Sequence, residues 1–265
     1  LIGYTTIRNV FGETPRDLTE KELLSIELSI QKNIEEGAFG LSFNIEEMTK
    51  RVVPTQEFIR ALKTISALKS VASFHLPREV EVVATLQAII EYAKELSLNI
   101  EINHFQPIEG LEAIYENAKE LIESSSAHLN INFDVFPFAS ITVSIEKMFP
   151  SWVGGIKGHE LSKTLSLTSN RKRILKDLSH FDGKECVIGQ MPKSLKFIEG
   201  RTIKEFKEHH ELPSDAAALL KLCELTKGSA ILFIRSVSSF LLQKFLFSPR
   251  SIIASNGLST AERGF

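Results

Sequence analysis

Two histidines stand at the ends of short apolar runs, one in Ser73-Phe74-His75-Leu76 and the other in Ile102-Asn103-His104-Phe105. The runs are about one strand-plus-helix apart. If both are strands and the strands lie parallel, the two imidazoles emerge at the same end of a sheet. Neutral imidazole is a common ligand of divalent metal ions. Such an ion lowers the pKa of a bound water, a nearby carboxylate takes the proton, and hydroxide attacks a carbonyl. Glu46 follows one apolar run, Asp134 ends another, and Asn256 ends the last. Two histidines with carboxylates and open coordination are, in kind, a hydrolytic metal site.

Each of these residues also has a plainer reading. A single strand-end histidine is more often structural than a ligand. Glu46, beside Glu47, suits a solvated loop, and Asp134 suits a local cap. His209-His210 lie among Lys204, Lys207, Glu208 and Glu211, as on a charged helix end. Arg171-Lys172-Arg173 suits a solvated helix face, and Trp152 a packing anchor.

The elements that must position the pair follow a regular beat. Thr19 with Glu22 forms a capping box, and Leu23, Ile26, Ile30 and Ile34 recur at helical spacing up to Gly37. Strand-like runs begin at Leu1, Ala38, Val71, Asn99, Leu129 and Ser251, and the first five alternate with helical patterns. A period of about 30 residues is the rhythm of parallel βα units. It predicts an α/β fold of the TIM-type (β/α) barrel. Residues 1–138 carry the βα units, 139–250 a helical insertion with a short strand at Cys186–Ile188, and 251–265 the last barrel strand and the start of its loop. Six strands leave the barrel incomplete. An open sheet exposes edges, so the expected partners include the missing part of the barrel or a second copy of the chain.

Composition narrows the classes. Of the residues, 43% are hydrophobic, enough for a sizeable core, and 31 Lys+Arg against 33 Asp+Glu leave a net charge of −2. That balance gives no reason to expect nucleic acid or a membrane surface as partner. Ser229–Phe247 comes nearest to a membrane span, but Arg235 and Lys244 interrupt it. Cys186 and Cys223 form no CxxC motif and read as free thiols. With no signal-type segment in view, the expected location is cytoplasmic.

The order of short motifs resembles the N-acyl-D-amino-acid deacylases (D-aminoacylases) of the amidohydrolase superfamily. Leu1-Ile-Gly-Tyr-Thr-Thr-Ile-Arg8 is similar to their "LVGHGTLR", and Glu35-Glu-Gly-Ala-Phe-Gly-Leu-Ser42 to "EAGALGLS". Ser73-Phe-His-Leu-Pro-Arg-Glu79 is similar to "THIRDE", Ile102-Asn-His-Phe-Gln106 to "ISHLK", and Asp134-Val-Phe-Pro-Phe138 to "DQYPY". Phe149-Pro-Ser-Trp152, Glu199-Gly-Arg201 and Ile253-Ala-Ser-Asn-Gly257 resemble "LPPW", "EGRSL" and "IGSDG".

The resemblance implies zinc as cofactor, with His75 and His104 as ligands and Glu46 as a carboxylate ligand. It implies a small N-acyl amino acid as substrate, contacted from Arg78, Gln106 and Phe136. It also implies a first barrel strand bearing His-x-His and a small β-sandwich, neither of which occurs in these residues. Three departures bear on activity. Asn256 stands where the family has its general-base Asp, and an amide cannot take up a proton at neutral pH. Gln106 replaces a Lys, and Phe136 a Tyr. The expected function is therefore a zinc-dependent deacylase of impaired activity. The alternatives are an inactive homologue that keeps the scaffold, or an amidohydrolase acting on a cyclic amide.

Overall fold

The structure is a computed structural model that describes residues 1–12, 16–50, 55–77, 81–153 and 158–255. In chain order the elements are β1 (Ile2–Gly3), α1 (Tyr4–Arg8), α2 (Glu20–Glu35), β2 (Gly40–Asn44), α3 (Ile45–Lys50), α4 (Thr55–Ala67), β3 (Val71–His75), α5 (Val82–Leu96), β4 (Asn99–Asn103), α6 (Glu112–Ser125), β5 (Ile131–Val135) and β6 (Ser140–Ser144). There follow α7 (Gly158–Ser166), α8 (Thr168–Asp177), β7 (Cys186–Gln190), α9 (Ile203–His209), α10 (Asp215–Thr226), β8 (Ile231–Arg235), α11 (Ser239–Leu246) and β9 (Ser251–Ile253). Two compact units result, one of residues 1–137 with 237–265, the other of residues 138–236.

The first unit is built on a six-stranded sheet of order β1-β2-β3-β4-β5-β9, with every pairing parallel. All six runs expected as barrel strands thus pair in the order the chain delivers them. Among the described residues the sheet does not close, and β1 and β9 are its edges. Side chains alternate across it. Leu41, Phe43, Ala72, Phe74, Ile102 and Phe133 are fully buried on one face, where the helices pack. Phe43 stacks on Phe74 at 5.3 Å, and Phe58 of α4 meets both edge-on. Phe245 of α11 lies over Phe133 at 5.8 Å. The opposite face carries Ser42, Asn44, Ser73, His75, Glu101, Asn103, Asn132 and Asp134.

The start of the chain departs from the sequence reading. Only Ile2–Gly3 is strand, and Tyr4–Arg8 turns into a helix. The reason is a buried polar knot. The Tyr4 hydroxyl and the Arg8 guanidinium both donate to the Glu57 carboxylate, the latter at 2.8 Å, and all three residues are at most 3% exposed. A helical turn brings Tyr4 and Arg8 close together on one face, whereas a strand would hold them about 13 Å apart. Burial and the adjacent carboxylate push the Tyr4 phenol above its ordinary pKa. The capping box Thr19/Glu22 forms as expected, and Gly37 takes a φ of 108° after α2.

The second unit has a core of its own, with Ile145, Leu161, Ile188, Phe206, Leu219 and Leu232 buried together. Besides helices it contains an antiparallel sheet of order β6-β8-β7. The helical reading of residues 139–250 therefore misses two strands, β6 and β8. Their β-branched runs, Ser-Ile-Thr-Val-Ser and Ile-Leu-Phe-Ile-Arg, carry strand propensity. Trp152 packs against this core, donates to Asp177 at 2.9 Å, and lies under the Arg173 guanidinium. Arg171 pairs with Glu224, so the basic run serves local structure. Cys186 and Cys223 are free, and burial pushes both thiols up to about 12.

Gly40 permits a close approach between β2 and β3. A Cβ there would lie 2.0 Å from the Val71 carbonyl oxygen. Gly40→Ala must move one strand away from the other, and overpacking of this kind costs about 1–3 kcal/mol. Urea denaturation followed by circular dichroism is expected to show a loss of at least that size.

Candidate active site

His75 ends β3 and His104 follows β4 directly, so the parallel register brings both rings to the C-terminal end of the sheet. Their centroids are 5.2 Å apart, at 68° to one another. The pair, with Asn103, Pro77, Phe105 and Tyr115, lines a recess of about 40 Å³. That is room for little more than a water. A larger hollow, of about 370 Å³, lies at the other end of β4 and β5, against Lys94, Asn99, His128 and Asn130. It holds none of the residues singled out for chemistry.

The two histidines are held differently. His104 has a φ of 51°, in the left-handed region that a non-glycine residue enters only when its surroundings hold it there. Asp134 of β5 does so. Its Oδ1 accepts the His104 backbone N–H at 3.0 Å and lies 3.2 Å from the ring Nδ1. An ionised carboxylate only accepts hydrogen bonds, so this contact calls for a proton on the His104 Nδ1. The His104 carbonyl then accepts from Gln106 N–H at 2.8 Å, which closes the turn. His75 is met by an amide instead, with Asn103 Nδ2 lying 3.2 Å from its Nδ1. The same Nδ2 donates to the hydroxyl of Ser73, a fully buried residue.

Glu101, on the polar face of β4, was not singled out from the sequence. Burial first, and then the charge of Asp134, push its carboxyl up to about 7. Its signal was present, since an acidic residue stands between Ile100 and Ile102 in a strand. Only the fold shows that its neighbours on that face, Ser73 and Asn132 by register, carry no positive charge.

The remaining expected site residues fall as follows. Glu46 lies in the first turn of α3 and is exposed. Gln106 is 5% exposed; its Nε2 donates to the Phe136 carbonyl at 3.3 Å, while its Oε1 has no hydrogen-bond partner among the described residues. Phe136 is 2% exposed. Arg78 and Asn256 lie outside the described residues. Among the described residues, no three His, Cys, Asp or Glu side chains are grouped so as to hold a metal ion. A zinc site takes three protein ligands when catalytic and four when structural. The described residues therefore do not complete a zinc site.

Neither a protein-family model nor a curated protein matches the chain. Solved structures do. A D-aminoacylase mutant in complex with copper chloride is 16% identical, with a TM-score of 0.59 over 95% of this chain and 46% of its own. N-acyl-D-glutamate deacylase from Bordetella bronchiseptica, in complex with zinc and a phosphonate mimic of the tetrahedral intermediate, is 11% identical at the same TM-score, over 92% and 44%. A D-aminoacylase described as defining a novel subset of amidohydrolases is 16% identical at 0.59, over 94% and 45%. The chain thus has the fold of D-aminoacylase-type amidohydrolases over the part that it spans, which is less than half of their length. No helix among the described residues is long and apolar enough to cross a membrane.

Two outcomes follow for the site. Asp134→Ala removes both contacts that hold His104 and is expected to destabilise the chain by about 1–3 kcal/mol in urea denaturation. Glu101 binds its proton more tightly folded than unfolded, so stability is highest below its ordinary pKa and falls as pH rises toward 7. Partial solvent screening limits that fall to about 1 kcal/mol. Denaturation midpoints at pH 4.5 and 8 should show it, and Glu101→Gln should remove it.

Proposed function

We propose that the chain carries the histidine side of an N-acyl-D-amino-acid deacylase site, and that hydrolysis at this site is impaired. In this reading His75 and His104 are the zinc-facing pair, and Glu46 is a further carboxylate on the same end of the sheet. Asn256 occupies the general-base position, and Arg78, Gln106 and Phe136 stand on the substrate side. The observation that carries the reading is the convergence of two imidazoles, 5.2 Å apart, at the C-terminal ends of adjacent parallel strands. In barrels of this kind catalytic groups come from that end. The fold shared with zinc- and copper-bound deacylases supports it.

Impairment has its own support. An amide at position 256 forgoes general-base catalysis worth about 10²–10⁴-fold. Among the described residues the Gln106 amide donates to the Phe136 carbonyl, and both residues are buried. Neither therefore offers a substrate what a Lys and a Tyr would. The same observations favour the inactive homologue as the second reading.

The test is hydrolysis of N-acetyl-D-amino acids by the full chain at saturating zinc. The expected result is little or no turnover by the natural chain and a gain of about 10²-fold or more in Asn256→Asp. That gain should vanish when His75→Ala or His104→Ala is added. If Asn256→Asp stays inert, the deacylase reading fails. A gain that survives loss of both histidines would place the site elsewhere.

A further inference from the structure

The hollow of about 370 Å³ at the N-terminal ends of β4 and β5 has no part in the reading above. It lies at the end of the sheet away from the histidines, and its volume is that of a small-molecule site. Lys94, Asn99, His128 and Asn130 line it with the apolar Leu98 and Leu129, and no carboxylate is among its lining residues. Its amides are ordered by a chain of hydrogen bonds. Asn132 Nδ2 donates to Asn130 Oδ1 at 3.4 Å, Asn130 Nδ2 to Asn99 Oδ1 at 3.0 Å, and Asn99 Nδ2 to the Lys69 carbonyl at 3.4 Å. A backbone carbonyl only accepts, so it sets the direction of the whole chain. Both lining amides thus commit their oxygens to a neighbour, and each Nδ2 keeps a second N–H. The helix ends beside the hollow are closed as well. After α5 the Leu98 N–H donates to the Ala93 carbonyl at 3.1 Å, and after α6 the Leu129 N–H donates to the Ser125 carbonyl at 3.1 Å. The Leu96 carbonyl accepts from Ser66 Oγ.

We propose that this hollow binds a small organic phosphate, with the phosphate held by Lys94, His128 and the spare amide N–H groups of Asn99 and Asn130, and the organic body against Leu98 and Leu129. The acceptors around the hollow are engaged by the protein itself, and what is left over is donors: an ammonium, two amide N–H groups and an imidazole N–H. Lys is a phosphate binder as a point charge. Four donors from α5, β4 and the turn before β5 match the three terminal oxygens of a phosphate monoester better than the two of a carboxylate. Lys94 also stands in the last turn of α5, where a cation complements the helix dipole. That role accounts for the lysine but not for the direction of the amide chain or for the place of His128. The site is at the opposite end of the strands from His75 and His104, so the proposal does not rest on the deacylase reading.

The test is titration of the full chain with phenyl phosphate at neutral pH and constant ionic strength, by calorimetry and by ¹H–¹⁵N spectra of the side-chain amides. Inorganic phosphate and benzoate are titrated alongside. The expected result is saturable binding of phenyl phosphate, with the Asn99 and Asn130 side-chain amide resonances shifting along the same curve. Phenyl phosphate should bind more tightly than either comparison ligand. Lys94 and Asn130 are exposed, so Lys94→Gln and Asn130→Asp are expected to fold as the natural chain does, which circular dichroism checks. Each should weaken binding about 10-fold or more, the size of one hydrogen bond to a charged group. Absence of saturable binding, or unmoved amide resonances of Asn99 and Asn130, would overturn the proposal. Unchanged affinity in either variant would do the same. Benzoate binding as tightly as phenyl phosphate would overturn the assignment of a phosphate, and inorganic phosphate binding as tightly would overturn that of an organic ligand. Hydrolysis plays no part in any of these readouts.

Discussion

The register of β3, β4 and β5 is the constraint on which the first unit depends. Phe74, Ile102 and Phe133 stand level across three parallel strands and face the helices. The residues one step along, His75, Asn103 and Asp134, therefore all face the other way. A slip of one residue in any strand would put a histidine or a carboxylate against the aromatic layer and a phenyl ring in the site. Burial of each large apolar side chain contributes about 1.5–3 kcal/mol. The hydrophobic layer and the polar site are thus set by the same alternation, and the greater part of the energy comes from the apolar side.

Within that frame the site is uneven. Asp134 grips His104 by backbone and ring together, which is how a non-glycine residue is kept at positive φ just past a strand end. At His75 it is the amide of the register partner, Asn103, that lies 3.2 Å from the ring Nδ1. The two rings converge in space but meet different neighbours, a carboxylate at His104 and an amide at His75.

Much of the first unit was legible in the sequence because its signals are local. The capping box at Thr19 and Glu22 and the six apolar runs each declare themselves within a few residues. The convergence of His75 and His104 followed from the βα rhythm alone. What stayed hidden depends on contacts made at long range. The helix at Tyr4–Arg8 is favoured by Glu57, some fifty residues away. Strands β6 and β8 pair across the 86 residues between Ser144 and Ile231, and short apolar runs do not by themselves separate strand from helix. The roles of Asn103 and Glu101 are set by cross-strand neighbours, which hydrophobic periodicity does not name.

The second unit begins and ends at one place. Ser140 pairs with Arg235 across the β6–β8 ladder, and the Ser236 N–H donates to the Ala139 carbonyl at 3.3 Å. The chain thus leaves β5, builds a body with its own core, and returns to within a hydrogen bond of its point of departure. Loop-closure entropy grows only with the logarithm of loop length, so joining β5 to β9 costs little more with this body present than with a modest loop. In entropic terms the segment is a long loop with closely spaced ends, and a change in its length would alter the closure cost of the sheet by little.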